Sequence, residues 1–548
     1  MKNNILKINF KRFIDNKLFI ISTLMYICIS VGYLIFSLYR DIRAGDDLFQ
    51  FVFPLWQTNI ISIYSFAFFL LLSYEFCSKL QANKLYETIL CTKKRLLSIS
   101  IYNLAVLSIW NLIYSIILFL YNFVAFLTLY SFDTNYITHI FLNILINIFL
   151  INTFAIIFGL AASFFKSKIL SYSSIILFLI LGSKIGESLA GTIVVATDNG
   201  FNAFKIFNLF NIFPPNMSWT PTYAMGFSIL PYRIILILIW VLLALTILLC
   251  SLKTKKIKIA SIFSLIMVIV LGVAFIQPES KLVLNSDPEG EALGDQYYYL
   301  DYEGENVSPT FNVEKYNLNI KIDRELSCSA NIMPDSSNAE YDFTLYHGYR
   351  INKVTDQDGK DLKYNRIGDY IDIFTTEKIT SINIDYSGTG KGFYSNYQGL
   401  YLAGDFPYYP IAGKQVLYNE TYLSIVPNNI PEFEITVSSN LQIYSNLNSD
   451  KRNIFYGKNK TPCLFSGFLT SKEYMGVTII YPYLYGETVY LEDILQNMDL
   501  NKFYGKTIFI EPHVNISFES SLREYDDVVL TPDLGELIMV ESEAEMYD

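Results

Sequence analysis

A polytopic α-helical membrane domain followed by a mostly β extracellular sandwich or saddle is the fold class that this 548-residue sequence predicts. Three observations predict it. Apolar runs of about 20 residues, the length an α-helix needs to cross a hydrocarbon core about 30 Å thick, recur only before residue 277. Charge changes sign at the same place: residues 1–277 hold 21 Lys and Arg against 9 Asp and Glu, whereas residues 278–548 hold 20 against 42. Beyond residue 310 apolar residues alternate at period two between Asn, Asp and Gly turns, as half-buried strands do.

In chain order, residues 1–17 (ILKINFKRFIDNK at their core) place Leu6, Phe10, Phe13 and Ile14 on one helical face and Lys7, Lys11 and Arg12 away from it. An interfacial amphipathic helix is expected there. Spans follow at about 18–39, 56–77, 98–130, 137–165, 169–190 and 232–250, which make a membrane domain of residues 18–250, and a seventh helix lies within 251–277. The first apolar run is too long for a signal-peptide core and no small-x-small cleavage site follows it, so it is read as retained.

Seven crossings put the two ends of this region on opposite sides. Sixteen basic residues, from the N-terminal arm, Lys79–Arg95, Lys166, Lys168 and Lys253–Lys258, fall on one side, against Arg40, Arg43, Lys184, Lys205 and Arg233 on the other. The positive-inside rule makes the first side cytoplasmic and the C-terminal half extracellular. The expected location is the cell membrane, with a multi-pass topology and a cytoplasmic N-terminus. Cys328 and Cys463 then lie outside, and whether they pair is open.

Between the second and third spans stands YEFCSKLQANKLYETILCTKKRLLS, charged and amphipathic amid apolar sequence. Leu85, Tyr86, Ile89 and Leu90 recur at helical spacing while Lys84, Glu87 and Lys94 point elsewhere, so a short helix lying on the membrane or on a protein is favoured. A basic loop meeting anionic headgroups is the simpler alternative. Its place and pattern, Glu75 followed by Lys84, Leu85, Tyr86, Glu87, Thr88, Ile89, Leu90 and then Lys93, Lys94 and Arg95, resemble the cytoplasmic coupling segment of ABC-2 type transporter permeases. The aromatic, proline-broken stretch FNAFKIFNLFNIFPPNMSWTPTYAMGFSIL resembles the re-entrant extracellular helices of the same family, the alternative being a loop folded over helix ends.

This resemblance covers about residues 1–250 and implies a knob that docks on a cytoplasmic ABC ATPase, within a homodimer or a heterodimer with a second permease. No G-x-x-x-x-G-K-[ST] occurs, so ATP and Mg are expected on the partner ATPase and no cofactor on this chain. Lys184 and Glu187, three apart near the outer end of span five, are candidates for a transport pathway or an intrahelical pair; snorkelling to the interface is the plainer reading. His139 opens span four.

After an acidic linker (278–310), residues 311–485 carry the strand patterns: YNLNIKID sets Tyr316, Leu318, Ile320 and Ile322 on one face, and ITSINIDYSG, FEITVSS and MGVTIIYP behave alike. The order YNLNIKID, INKVTDQDGKDLKY, IDIF, ITSINIDYSGTGKGF, FPYYPIAG and FEITVSSNLQIYSN resembles the N-terminal β domain of M1 family metallopeptidases, a domain that some bacterial chains join to an ABC-2 permease. The chain departs from that family where its chemistry lies. H-E-x-x-H is absent, and His139, His347 and His513 stand apart, so the resemblance implies a β domain without catalysis and without a zinc site. The tyrosines Tyr297, Tyr298, Tyr299, Tyr394, Tyr397, Tyr401, Tyr408 and Tyr409 offer either a peptide or glycan surface or ordinary sheet packing. Residues 486–548 form an acidic C-terminal segment with two strand-like runs, in which Glu541, Glu543, Glu545 and Asp548 read as a solvated end before a calcium site.

The expected function is therefore the permease subunit of an ABC exporter, not itself an enzyme, with the bilayer and an ATPase as partners and no nucleic acid. A membrane-anchored binding or sensing protein derived from a permease–peptidase fusion is the alternative.

Overall fold

The fold is that of a computed structural model, which describes residues 2–44, 54–82, 93–129, 133–165, 167–197, 203–213, 226–251, 255–277, 298–299, 304, 306–390, 394–417, 424–425, 427, 429–483, 495–496, 500–510 and 522–531. The two-part architecture read from the sequence is the one observed. Contacts divide the chain into two compact units, the first made of residues 1–46, 52–218 and 229–281 and the second of 47–51, 219–228 and 282–548.

In the helical unit, α1 (Lys2–Asp15) and α2 (Lys17–Ala44) meet at an elbow where the Asn16 carbonyl accepts from the amides of Phe19 and Ile20. Then come α3 (Pro54–Ala82), α4 (Lys93–Leu129), and a span built from α5 (Thr134–Ile144), a π-helical turn (Leu145–Leu150) and α6 (Ile151–Ala162). The Asp133 side chain caps α5 by accepting from the Asn135 amide. The π turn has an identifiable compensation: the Phe149 carbonyl accepts from Asn111 Nδ2 at 3.0 Å and Thr153 Oγ1 at 2.7 Å. The unit continues through α7 (Lys168–Leu181), α8 (Lys184–Ala196), the single turn α9 (Phe204–Phe207), α10 (Pro231–Ser251) and α11 (Lys255–Ile276). Among the described residues six helical segments, Lys17–Arg40, Pro54–Lys79, Ser98–Leu129, Thr134–Ala162, Pro231–Ser251 and Lys258–Ile276, are long and apolar enough to cross a membrane.

The fifth span expected at 169–190 needs correction. It is two helices, α7 of 14 residues and α8 of 13, divided at Gly182–Ser183. Ser183 stops one helix and starts the next, its Oγ accepting from the Ile185 amide. Gly186 permits the break: a Cβ there would lie 2.4 Å from the Leu181 carbonyl oxygen. At 1.5 Å per residue α7 is about 21 Å long, too short to cross a core of about 30 Å unaided.

Side-chain contacts fix the helix directions. Thr58 meets Asn122 and Cys77 meets Asn103, so α3 and α4 are antiparallel; Asn59 meets Asn147 and Ser65 meets Asn152, so α3 and the α5–α6 span run parallel. Gly159 lets that parallel pair touch backbone to backbone, since a Cβ there would be 2.5 Å from the Leu70 carbonyl oxygen and 2.9 Å from Ser73 Cβ.

The second unit is mostly β. Its largest sheet has the order β13-β14-β11-β1-β2-β7-β4, where β1 is Val313–Ile322, β2 Leu326–Pro334, β4 Tyr349–Asp356, β7 Ile382–Gly388, β11 Glu432–Ser438, β13 Asn448–Lys451 and β14 Ile454–Lys458. Tyr316, Leu318, Ile320 and Ile322 of β1 are all buried, as their spacing predicts. Two four-stranded sheets have the orders β10-β3-β6-β5 (Ile411–Ala412, Glu340–Thr344, Tyr370–Phe374, Lys363–Ile367) and β12-β15-β9-β8 (Ile443–Tyr444, Leu464–Ser466, Gly399–Leu402, Ser395–Asn396). Tyr394, Tyr401, Tyr408 and Tyr409 are fully buried, so these rings pack the sheets and the binding surface considered for them is not formed by them. Cys328 and Cys463 are separately buried free thiols.

A fourth sheet, β16-β17-β18-β20-β19, joins Leu469–Tyr474 and Val477–Pro482 to Thr507–Ile510, Val528–Thr531 and Arg523–Glu524. Strands β17, β18 and β20 are parallel and enclose a core of Val477, Ile479, Leu495, Leu500, Phe503, Ile508, Ile510 and Val529. The boundary expected at residue 485 therefore divides a single sheet.

Candidate functional site

The helical unit holds a network of polar side chains in its interior. His139, Asn143 and Asn147 recur at every fourth residue, which at 3.6 residues per turn sets them on one stripe of the α5–π segment. Arg233, in the first turn of α10, and Asn59, near the start of α3, meet that stripe. All five are buried, Arg233 being only 5% exposed.

A guanidinium can only donate, and this fixes every bond behind it. Arg233 Nη2 donates to Asn147 Oδ1, so Asn147 must turn its Nδ2 outward. That amide donates to Asn59 Oδ1 and to Asn143 Oδ1, both at 3.1 Å. Asn143 Nδ2 consequently faces His139 Nε2 at 3.1 Å, which makes Nε2 the acceptor and puts the imidazole proton on Nδ1. One cation thereby polarises a relay of four side chains across three helices.

Further polar contacts continue along the same helices. Asn122 Nδ2 donates to Thr58 Oγ1 (2.8 Å), Ser65 Oγ to Asn152 Oδ1 (3.0 Å), Asn111 Nδ2 to Thr153 Oγ1 (3.3 Å) and Ser73 Oγ to the Ile156 carbonyl (2.7 Å). In an apolar solvent such contacts replace hydrophobic association as the glue between helices, and an ionisable group among them points to function.

At the opposite end of α3 the N-terminal helix is clasped to the bundle. Phe13 is fully buried against the rings of Phe19, Phe76 and Trp110, with centroids 5.8, 5.3 and 5.7 Å away. Arg12 does not point away, as the helical face read from sequence implied. It stacks 4.2 Å from the Phe76 centroid and donates to Asn103 Oδ1 at 3.1 Å, and burial lowers its pKa from the ordinary value. Lys79 lies over Phe19 at 4.2 Å. Ile14, on the apolar face expected of an interfacial helix, is exposed. The clasp thus holds α1 to the ends of α3 and α4, the two helices that bracket residues 83–92.

The remaining sequence-predicted residues are placed as follows. Lys84, Leu85, Tyr86, Glu87, Thr88, Ile89 and Leu90 lie outside the described residues. Lys93, Lys94 and Arg95 form the first turn of α4. Lys184 and Glu187 fall in the first turn of α8, directly after the Gly182–Ser183 break. The side chains of Lys93, Lys94, Arg95, Lys184 and Glu187 lie outside the described ones. Sequence reading missed Arg233, which it counted as an outer loop charge, and Asn59, Asn143 and Asn147; the i, i+4, i+8 spacing from His139 was the available signal.

In the β unit, Asp369 is buried and accepts from the His347 backbone amide (2.6 Å) and Tyr299 Oη (2.9 Å), with His347 Nδ1 at 3.1 Å. The carboxylates of Glu340, Asp342 and Asp372 bring oxygens within 4.8 Å of one another. Lys414 Nζ stands 2.8 Å from Asp372 Oδ1 and supplies positive charge there, and that bond raises the lysine pKa; burial raises that of Asp342.

No protein-family model matches the chain, and no curated protein does. Among solved structures, yeast LTA4 hydrolase in complex with bestatin is similar over 42% of this chain and 42% of its own, at 14% identity and a TM-score of 0.30. An M1 zinc metallopeptidase from Deinococcus radiodurans is similar over 43% of this chain and 64% of its own, at 13% identity and a TM-score of 0.27. An aminopeptidase N family protein from Idiomarina loihiensis is similar over 39% and 42%, at 11% identity and a TM-score of 0.28. The chain spans less than two thirds of the length of each. Likenesses at these scores assign no activity.

Proposed function

We propose that this chain is the transmembrane permease subunit of an ABC-type exporter of the cell membrane, powered by separate cytoplasmic ATPase subunits, with a non-catalytic extracellular β domain. The observation that supports the reading best is the pairing of two features in one bundle. Buried polar side chains link α3, α4, α5–α6 and α10, and at the other end of α3 the helix ends that bracket residues 83–92 are held by Arg12 and Phe13 of α1 and by Lys79 of α3 over Phe19 of α2. On this reading α7 and α8 together make the fifth of seven passes, and the distribution of Lys and Arg favours a cytoplasmic N-terminus with the β half outside.

On this reading Leu85, Ile89 and Leu90 anchor the turn in a groove of the ATPase, and Lys84, Glu87, Lys93, Lys94 and Arg95 give register, as apolar cores and polar rims do at interfaces. The chain works as a homodimer or with a second permease and carries no nucleotide itself. Reconstituting it with its ATPase tests this: Glu87→Lys should uncouple hydrolysis from substrate movement while the protein stays in the membrane. Coupling unchanged by both Glu87→Lys and Leu90→Asp would contradict the proposal.

A further inference from the structure

The relay that starts at Arg233 has more donors than acceptors. Arg233 Nε and Asn59 Nδ2 are both buried and find no acceptor among the described residues. Neither is an accident of amide orientation, because the donor-only guanidinium forces Asn147 to present Nδ2 to Asn59, which must answer with Oδ1 and leave its own Nδ2 unmatched. No carboxylate among the described residues pairs with Arg233. A buried guanidinium without a counter-charge is costly, so an anion placed beside it would be strongly held.

We propose that Arg233 and Asn59, oriented by Asn147, form a binding site for a phosphate-type anion between α3, the π turn that follows α5, and α10. The chemistry fits. An arginine fork and an amide offer N–H groups only, which suits an oxygen-rich anion and suits no cation. Arg233 is the third residue of α10, so the positive end of that helix's dipole adds to the local potential. The ligand is either a lipid phosphodiester or free phosphate. The inference does not rest on the transport reading, and its test contains no ATPase.

The test uses the full chain in nanodiscs of phosphatidylcholine and follows thermal unfolding in two arms: inorganic phosphate added at constant ionic strength, and replacement of part of the lipid by phosphatidylglycerol. One arm should raise Tm by about 2–4 °C, and which arm does so identifies the source. Arg233→Gln should abolish the shift, Asn59→Ala should shrink it and Arg233→Lys should retain part of it. If Arg233→Gln does not fold, Asn59→Ala decides, since it keeps the charge and removes only the amide. No shift in either arm, an equal shift in Asn59→Ala, or an Asp46→Asn/Asp47→Asn variant as destabilised as Arg233→Gln would overturn the proposal, the last by showing that the chain itself supplies the anion.

Discussion

Arg523→Met should be among the most damaging conservative-sized changes in the β unit. Asp405 is fully buried, and Arg523 Nη1 (2.6 Å) and Tyr525 Oη (2.7 Å) both donate to its Oδ2. Its Oδ1 has no partner among the described residues, so methionine would leave a buried carboxylate held by one hydroxyl. Removing one member of a buried pair costs about 3–5 kcal/mol, and for a unit of this size about 2–4 °C is lost per kcal/mol. Thermal unfolding of the full chain, followed by tryptic cleavage within residues 505–531, should show the β-unit transition lowered by about 10 °C. Asp405→Asn/Arg523→Met should recover most of the loss, because an amide beside a thioether leaves no charge uncompensated. A single variant within about 1 kcal/mol of wild type, or a double variant no better than the single, would refute the account of Asp405 as a buried carboxylate that depends on Arg523.

Other outcomes follow from the same geometry. Gly159→Leu should separate α3 from α6 by pushing a side chain against the Leu70 carbonyl and Ser73; a loss of about 1–3 kcal/mol is expected, read as lowered Tm in nanodiscs, and an unchanged Tm would contradict the close approach. Asn111→Leu should leave the Phe149 carbonyl with Thr153 as its remaining hydrogen-bond partner, at about 1 kcal/mol, and a neutral result would show that the π turn needs no second donor. Asp527 accepts from Asn446 Nδ2 (2.9 Å) and Asn459 Nδ2, and burial raises its pKa above the unfolded value. A raised acid contributes stability that is full below the unfolded pKa of about 3.9 and is lost as pH rises through the folded one. Asp527→Asn keeps the acceptor oxygen, so its Tm should equal or exceed wild type at neutral pH, with the advantage vanishing as pH falls towards about 4; a variant less stable at neutral pH and improving on acidification would reverse the argument.

Much of this fold was legible because two simple periodicities carry it. Twenty-residue apolar runs can only be buried in lipid or in a very large core, and β1 alternates cleanly because one face of its sheet is buried. Three things were hidden. The break in the fifth span comes from Gly182, Ser183 and Gly186, small residues that hydropathy scores as tolerable within a helix, whereas packing and capping make them a turn. The boundary at 485 was misplaced because β18 and β20 are short four-residue strands whose value lies in pairing, β18 with β17 across about 25 residues of chain and β20 with β18. The Arg233 network was overlooked because asparagine is common and a basic residue beside Pro231 looks like a loop; only the bonds among three helices give those residues meaning. Arg12 was misjudged for a related reason, since a cation stacked on Phe76 and bonded to Asn103 can face inward without an acidic partner.

The central claim is that residues 83–92 form an inward knob driven by a nucleotide-hydrolysing partner. A photo-crosslinking amino acid at Leu85, Ile89 or Leu90, activated in native membranes, measures this most directly. The account predicts an adduct with a cytoplasmic protein that carries a P-loop and binds ATP. Labelling of cysteines at the same positions by a membrane-impermeant thiol reagent added outside intact cells, with no such adduct, would contradict it.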